Sequence, residues 1–305
     1  MRVLAWCVLG VVACGSSDGP RGGDGSVDTA GGDGPASRCD RSKPFGAPSL
    51  VAGVNSLSAD QWGWMTSDEL TIYYAHAEIG SSDFNVFSAT RGSPNDAFSG
   101  AASVAGVNTS VTADNRPTLT ADGLIMFMEV NADLFVATRA NLSLPFSAPV
   151  PVDGLNTTTN FENNPWVSPD GLALLFVSDV SGVSDLYRSS RPSIASQFAS
   201  PTPIDELNTP SLAEFAPVVT KDGLEIYFAR FNPVNQIVTA DIMHATRSSL
   251  ADGFGAPTVI GELSSTTTEE VPTWISDDSC EIMFTSGNLS GGAGGLDVWI
   301  AKRPL

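Results

Sequence analysis

At 305 residues the chain exceeds the usual single-domain size, yet all-β barrels and propellers run past 200 residues as one unit, so one large core is within reach. It carries 15 Lys and Arg against 34 Asp and Glu, a formal net charge of −19. Such a surface repels phosphate backbones and anionic lipid and excludes nucleic acid as a partner.

The first element is an export signal: Arg2, then an apolar run from Val3 to Val12, too short to span a bilayer as a mature helix and ending in small residues. Its end, Val11-Val12-Ala13-Cys14, resembles a bacterial lipoprotein signal. The resemblance implies removal of residues 1–13, acylation of Cys14 and a mature balance of 14 basic against 34 acidic residues, or −20. An ordinary cut would instead leave Cys14 as a thiol or half of a disulfide. Gly15 stands where that family's inner-membrane proteins carry Asp, which points to the outer membrane. Residues 14–38 hold little but Gly, Ser, Asp and Pro, cannot offset their ordering entropy, and read as a disordered tether reaching roughly 25 to 30 Å. No later stretch is long and apolar enough to span a membrane.

From residue 39 to 305 the chain repeats itself. WGWMTSDELTIYYAHAEIGSSDFNVFSATR (62–91), RPTLTADGLIMFMEVNADLFVATR (116–139), NPWVSPDGLALLFVSDVSGVSDLYRSSR (164–191), APVVTKDGLEIYFARFNPVNQIVTADIMHATR (216–247) and VPTWISDDSCEIMFTSGNLSGGAGGLDVWIAKR (271–303) share one order: apolar run, Asp-Gly turn, apolar run, loop, third run. Each ends at an Arg (Arg91, Arg139, Arg191, Arg247, Arg303), and a Phe stands seven residues after the first four: Phe98, Phe146, Phe198 and Phe254. A short fourth strand follows, then in three copies an Asn: Asn108, Asn156 and Asn208. Four short antiparallel strands at a period near 50 residues make a propeller blade. In two copies, Ser67-Asp68-Glu69 and Asp277-Asp278-Ser279, the turn Gly is missing; a different turn type is allowed there, although Asp can still form an Asx-turn.

The fifth copy stops before its fourth strand, while Phe45-Gly46-Ala47-Pro48 and Val54-Asn55 precede the first. The N-terminal strand therefore completes the last blade, leaving no unpaired edge. The fold expected is all-β, a five-bladed propeller. The segments PWVSPDGLALLFVSDVSGVSDLY, PVVTKDGLEIYF and PTLTADGLIMFM resemble the TolB-type, WD-repeat-like propeller repeats of bacterial envelope proteins over about residues 43–303. That resemblance implies a binding platform, although the same architecture also carries enzymes.

An acid recurs three residues before each landmark Pro: Asp114, Glu162, Glu214 and Glu269, with Asp60 equivalent in the first copy. One carboxylate per blade at the start of the innermost strand would ring the channel mouth. Such a ring could hold a cation such as Ca²⁺ or a partner's Lys or Arg, since converging carboxylates are relieved by positive charge; alternatively each acid caps backbone amides of the neighbouring blade. Asp133, Asp185, Asp241, Asp297 and Asn85 open the third strands and suit turn chemistry. Trp62, Trp64, Trp166 and Trp274 lie on inner strands, as blade core or as a platform for a ring. His76 and His244 lack companions at metal-ligand spacing, there is no nucleophile elbow of the G-x-S-x-G kind, and the Gly-rich 286–297 lacks the Lys-Ser/Thr end of a phosphate loop.

Cys39 leads into the closing strand and Cys280 follows a turn of the same blade on the same face. A disulfide between them is expected in an exported protein; the other reading is two thiols, with Cys280 replacing the Leu of Leu124, Leu172 and Leu224. A hydrolase would need two unequal carboxylates, one acid and one base, and the sequence offers five similar ones. The function expected is therefore a non-catalytic, monomeric envelope lipoprotein that needs no cofactor. It would bind another envelope protein or a small polar ligand and touch the membrane only through its anchor. A glycoside hydrolase or lectin using the channel mouth is the alternative.

Overall fold

The computed structural model describes residues 38–109, 113–231, 239–287 and 289–305. The signal, Cys14 and the tether up to residue 37 lie outside the described residues, as does Asn288 of the Gly-rich loop. Among the described residues twenty strands form five four-stranded antiparallel sheets. The first blade is β2 (Ala59–Met65), β3 (Thr71–Ala77), β4 (Asn85–Thr90) and β5 (Ser99–Ser103). The second is β6 (Asp114–Leu119), β7 (Ile125–Val130), β8 (Asp133–Thr138) and β9 (Val150–Pro151); the third is β10 (Glu162–Val167), β11 (Ala173–Ser178), β12 (Asp185–Ser190) and β13 (Thr202–Pro203). The fourth holds β14 (Ala213–Val219), β15 (Glu225–Phe231), β16 (Ala240–Thr246) and β17 (Thr258–Val259); the fifth holds β18 (Val271–Ile275), β19 (Glu281–Gly287) and β20 (Leu296–Lys302), completed by β1 (Ser49–Leu50) against β20. The inner strands touch in sequence round the ring, and β18 meets β2.

The core lies between blades. Each of five buried clusters spans one blade interface, for example Val86, Val107, Met126 and Met128 between the first and second. Second strands are thus covered on both faces, which is why they read as unbroken apolar runs and not as alternating ones. The landmark Arg has two jobs in every blade. Its Nε donates to the carbonyl of the turn residue (Arg91 to Glu69, 2.6 Å; Arg247 to Gly223, 2.7 Å), and its guanidinium lies over the Phe of the fourth strand at 4.0 to 4.5 Å. In the fifth blade the partner of Phe45 is Arg303 from the other end of the chain.

The two turns without Gly keep the common geometry. Glu69 and Ser279 adopt φ of 58°, beside 67° to 73° for Gly123, Gly171 and Gly223. The Asx-turn persists too, with Asp68 and Asp278 accepting from Leu70 and Cys280. In four blades the Asn after the fourth strand clips that strand to the third: Asn156 accepts from the Leu134 amide and donates to its carbonyl, and Asn55 does the same at Val298; after β17 the place is taken by Ser264. Cys39 and Cys280 are disulfide-bonded, with Cα atoms 5.6 Å apart.

Candidate functional site in the central channel

Four of the five sequence-selected acids take one structural role. Asp60, Asp114, Glu162 and Glu214 are buried at the start of their inner strands, and each accepts from the amide of a Ser or Thr in the connection between blades: Ser56, Thr109, Thr157 and Thr209. In the fifth blade this place belongs to Glu270, which accepts from the Ser265 amide at 2.9 Å, and not to Glu269, which is only half-buried. The shift has a simple cause. Pro272 stands one position earlier relative to the bulge than Pro165 does, so counting back from Pro misplaces the acid, whereas counting four back from Trp166 and Trp274 gives Glu162 and Glu270.

The cross-strand partner of the acid differs from blade to blade. Asp60 meets His76 Nδ1 at 2.7 Å, Glu162 meets Ser178, Glu214 meets Arg230 at 2.7 Å and Glu270 faces Ser286, while Asp114 faces Val130. Burial pushes Asp114 and Glu214 up, against the hydrogen bonds from Thr109 and Thr209. Burial, followed by the neighbouring Glu270, also raises Glu269. Among the described residues no group of three or more His, Cys, Asp or Glu side chains is arranged to hold a metal ion.

Two residues beyond each acid, every inner strand carries a bulge. Trp62, Arg116, Asn164 and Ala216 occupy it with φ of 52° to 57°, a left-handed conformation costly for side-chain-bearing residues; Pro272 holds the fifth position. All five line a cavity of about 30 Å³ on the channel axis, room for one or two waters.

Here the five-fold pattern breaks, and sequence reasoning passed over its chief residue. Arg116 lies 3.8 Å from the ring centroid of Trp62 and 3.2 Å from Glu129 of β7. That contact is an ion pair without hydrogen-bond geometry, because Arg116 Nε and Nη1 and Glu129 Oε2 are all buried without a hydrogen-bond partner. Asn115 Oδ1, Asn164 Oδ1 and Thr273 Oγ1 are likewise unpaired. Burial lowers the Arg116 pKa and Glu129 opposes it. A guanidinium held by an aromatic face, with donors unused, can accept one carboxylate or carbonyl group.

The remaining sequence candidates are structural. Trp64 and Trp274 pack in blade interfaces and Trp166 against two of them; Asp185 and Asp297 accept bonds within their own loops, from Ser181 and from Ala293. His244 Nε2 donates to Glu225 at 2.9 Å on the outer surface, away from the channel.

No protein-family model and no curated protein sequence matches the chain. Among solved structures, the α-L-arabinofuranosidase PaAbf62A of Podospora anserina superposes with a TM-score of 0.55 at 12% identity, over 87% of this chain and 98% of that one. The endo-arabinase of Bacteroides thetaiotaomicron gives 0.55 at 12%, over 84% and 98%. TolB from Acinetobacter baumannii gives 0.48 at 14% identity over 81% of this chain, which spans 55% of the length of that TolB chain. At such identities the likeness is one of fold: the chain is a five-bladed β-propeller whose structural neighbours include both TolB-type proteins and glycoside hydrolases.

Proposed function

We propose that the protein is a non-catalytic binding platform of the bacterial envelope, tethered through acylated Cys14 to the outer membrane, and that its partner inserts an acidic or carbonyl-bearing group against Arg116. The observation that carries this is Arg116 beside Trp62, ion-paired with Glu129 yet with Nε and Nη1 making no hydrogen bond. The size of the channel cavity supports it, since about 30 Å³ admits one functional group and not a sugar ring. Exposed apolar side chains on the same face, Leu57, Ile79, Phe161 and Val180, suit a protein partner.

The test joins three measurements. A photo-crosslinker at Phe161 in intact cells should capture a defined envelope protein, Trp62→Ala and Arg116→Gln should lose it, and Cys14→Ser should release the chain from the membrane fraction. Capture that survives both channel substitutions would defeat the reading. The second reading, a carbohydrate-active enzyme, draws on the propeller likeness to the two arabinan-type hydrolases and on two carboxyls that burial raises, Asp114 and Glu214, as a general acid requires. Turnover of an aryl furanoside that disappears in Asp114→Asn would favour it.

A further inference from the structure

A larger cavity lies elsewhere, at an interface where the repeat places Leu. The third residue of each second strand faces the next blade: Tyr73, Phe127, Leu175, Tyr227 and Met283. At two interfaces a Tyr hydroxyl there meets the next blade's landmark Arg, Tyr73 with Arg139 at 3.2 Å and Tyr227 with Arg303 at 3.3 Å; at a third, Arg191 faces Phe127 at 5.9 Å. Between the third and fourth blades the residue is Leu175, which neither fills the space of a ring nor offers a hydroxyl to Arg247. A cleft of about 780 Å³ opens there, within the range of small-molecule sites.

Its walls are apolar, from Leu172, Leu175, Ile204, Val219, Leu250 and Phe254. Its charge is the reverse of the molecule's. Of the 15 Lys and Arg in the chain, Arg188, Arg191, Lys221 and Arg247 line this one cleft. Lys221 is paired with Asp277 at 2.6 Å, but Arg188 and Arg247 take part in no ion pair among the described residues, and after burial the nearby Arg188 lowers the pKa of Arg247. The two lining acids are occupied: Asp170 accepts from Ser168 and the Leu172 amide, Asp222 from Thr220 and the Leu224 amide. Glu206 and Asp252, the nearer carboxylates to Arg247, accept from the Phe254 amide and Ser249.

We propose that the cleft between the third and fourth blades binds an anionic amphiphile, a molecule with an apolar ring or short chain against Leu175 and Phe254 and one carboxylate, sulfonate or phosphate between Arg188 and Arg247. It lies on the side of the Asp-Gly turns, opposite the loops that hold the acids, so it stands independently of the channel reading.

The test is fluorescence titration of the whole protein with 8-anilinonaphthalene-1-sulfonate, followed by displacement with decanoate or with uncharged decanol. One saturable site is expected, displaced by decanoate at least tenfold more effectively than by decanol. Leu175→Tyr, which restores the residue used at two other interfaces, should weaken binding at least tenfold without lowering the melting temperature. Leu250→Glu, at an exposed rim position, should weaken it in the same direction should the first variant fold poorly. Arg188→Gln should weaken it severalfold at low salt, with the difference shrinking in 1 M salt. Unchanged affinity in both Leu175→Tyr and Leu250→Glu, or equal displacement by decanol, would overturn the assignment.

Discussion

Arg116 and Glu129 are a charge pair whose partners cannot be removed independently. Taking away one member of a buried pair strands the other, at a cost of about 3 kcal/mol or more, whereas replacing both with apolar residues of similar volume is close to neutral. Arg116→Met alone should therefore destabilise by about 3 kcal/mol in denaturant unfolding, and Arg116→Met with Glu129→Leu should recover most of it. The double variant is folded but lacks the guanidinium, so its loss of partner capture would report recognition and not stability. A second residue-scale test concerns Glu225. Burial pushes its carboxyl up, but hydrogen bonds from His244, Arg41 and Tyr227 outweigh this and bring it down to about 2. A carboxylate depressed in the folded state contributes stability that is complete above its unfolded pKa, about 4.3, and is lost as pH falls through the folded value. The melting-temperature difference between wild type and Glu225→Gln should accordingly be full at pH 6 and shrink between about pH 4.5 and 2. A constant difference over that window would refute the assignment of the low value to these contacts.

The connections between blades show how one motif tolerates unequal burial. Gly53, Gly106 and Gly154 occupy the same place in three successive copies, two residues before the Asn clip, with φ of 83°, 91° and 77°. A Cβ on Gly53 would sit 1.9 Å from the Phe98 carbonyl oxygen and on Gly106 2.2 Å from that of Phe146, backbone atoms that cannot step aside; on Gly154 it would meet nothing within 4 Å. Gly154→Ala should cost about 1 kcal/mol, the strain of a left-handed Ala, whereas Gly53→Ala should cost well over 2 kcal/mol or prevent folding, as read by chemical unfolding. Similar losses at the two sites would mean that the close approach is not rigid. These elements also mark what sequence could supply. The Asp-Gly turns, the Arg and Phe landmarks and the Asn clips are local and recur, so period alone exposes them. The bulge is different: it is a register event between two strands, and only the structure reveals that Pro272 is displaced from the place of Pro165, making Glu270 and not Glu269 the fifth capping acid. Arg116 carried no repeat signal because it is the residue that departs from the repeat. Leu175 was invisible for the opposite reason, being a conservative core residue whose effect is the space it leaves.

Across the whole molecule, closure depends on a two-residue strand. β1 contributes Ser49 and Leu50 to the fifth blade, and few ladder hydrogen bonds hold the ring shut. Other contacts reinforce the seam: Arg303 over Phe45 at 4.0 Å, Glu262 of the fourth-blade connection accepting from the Phe45 amide at 3.0 Å, and Arg38 paired with Glu69 at 2.6 Å and Asp278 at 2.7 Å. The Arg38 pairs join the first turn of the first blade to the equivalent turn of the fifth across the seam. The Cys39–Cys280 disulfide lies beside them, both residues are buried, and it spans 241 positions. Chain-entropy arithmetic for so long a loop gives an upper contribution of about 5 kcal/mol, with strain and residual unfolded structure reducing it. The bond is therefore a clamp on the closing strand more than on the interior of any blade. Reduction, or Cys39→Ser with Cys280→Ser, should lower the melting temperature, and in hydrogen exchange β1 and β20 should lose protection before β6 to β13 change. Thiol labelling of the unfolded, unreduced chain should find neither Cys39 nor Cys280 reactive, and both after reduction. Exchange that rises evenly through all five blades would mean that the ring opens only with global unfolding, and the role of the disulfide as a seam clamp would fall.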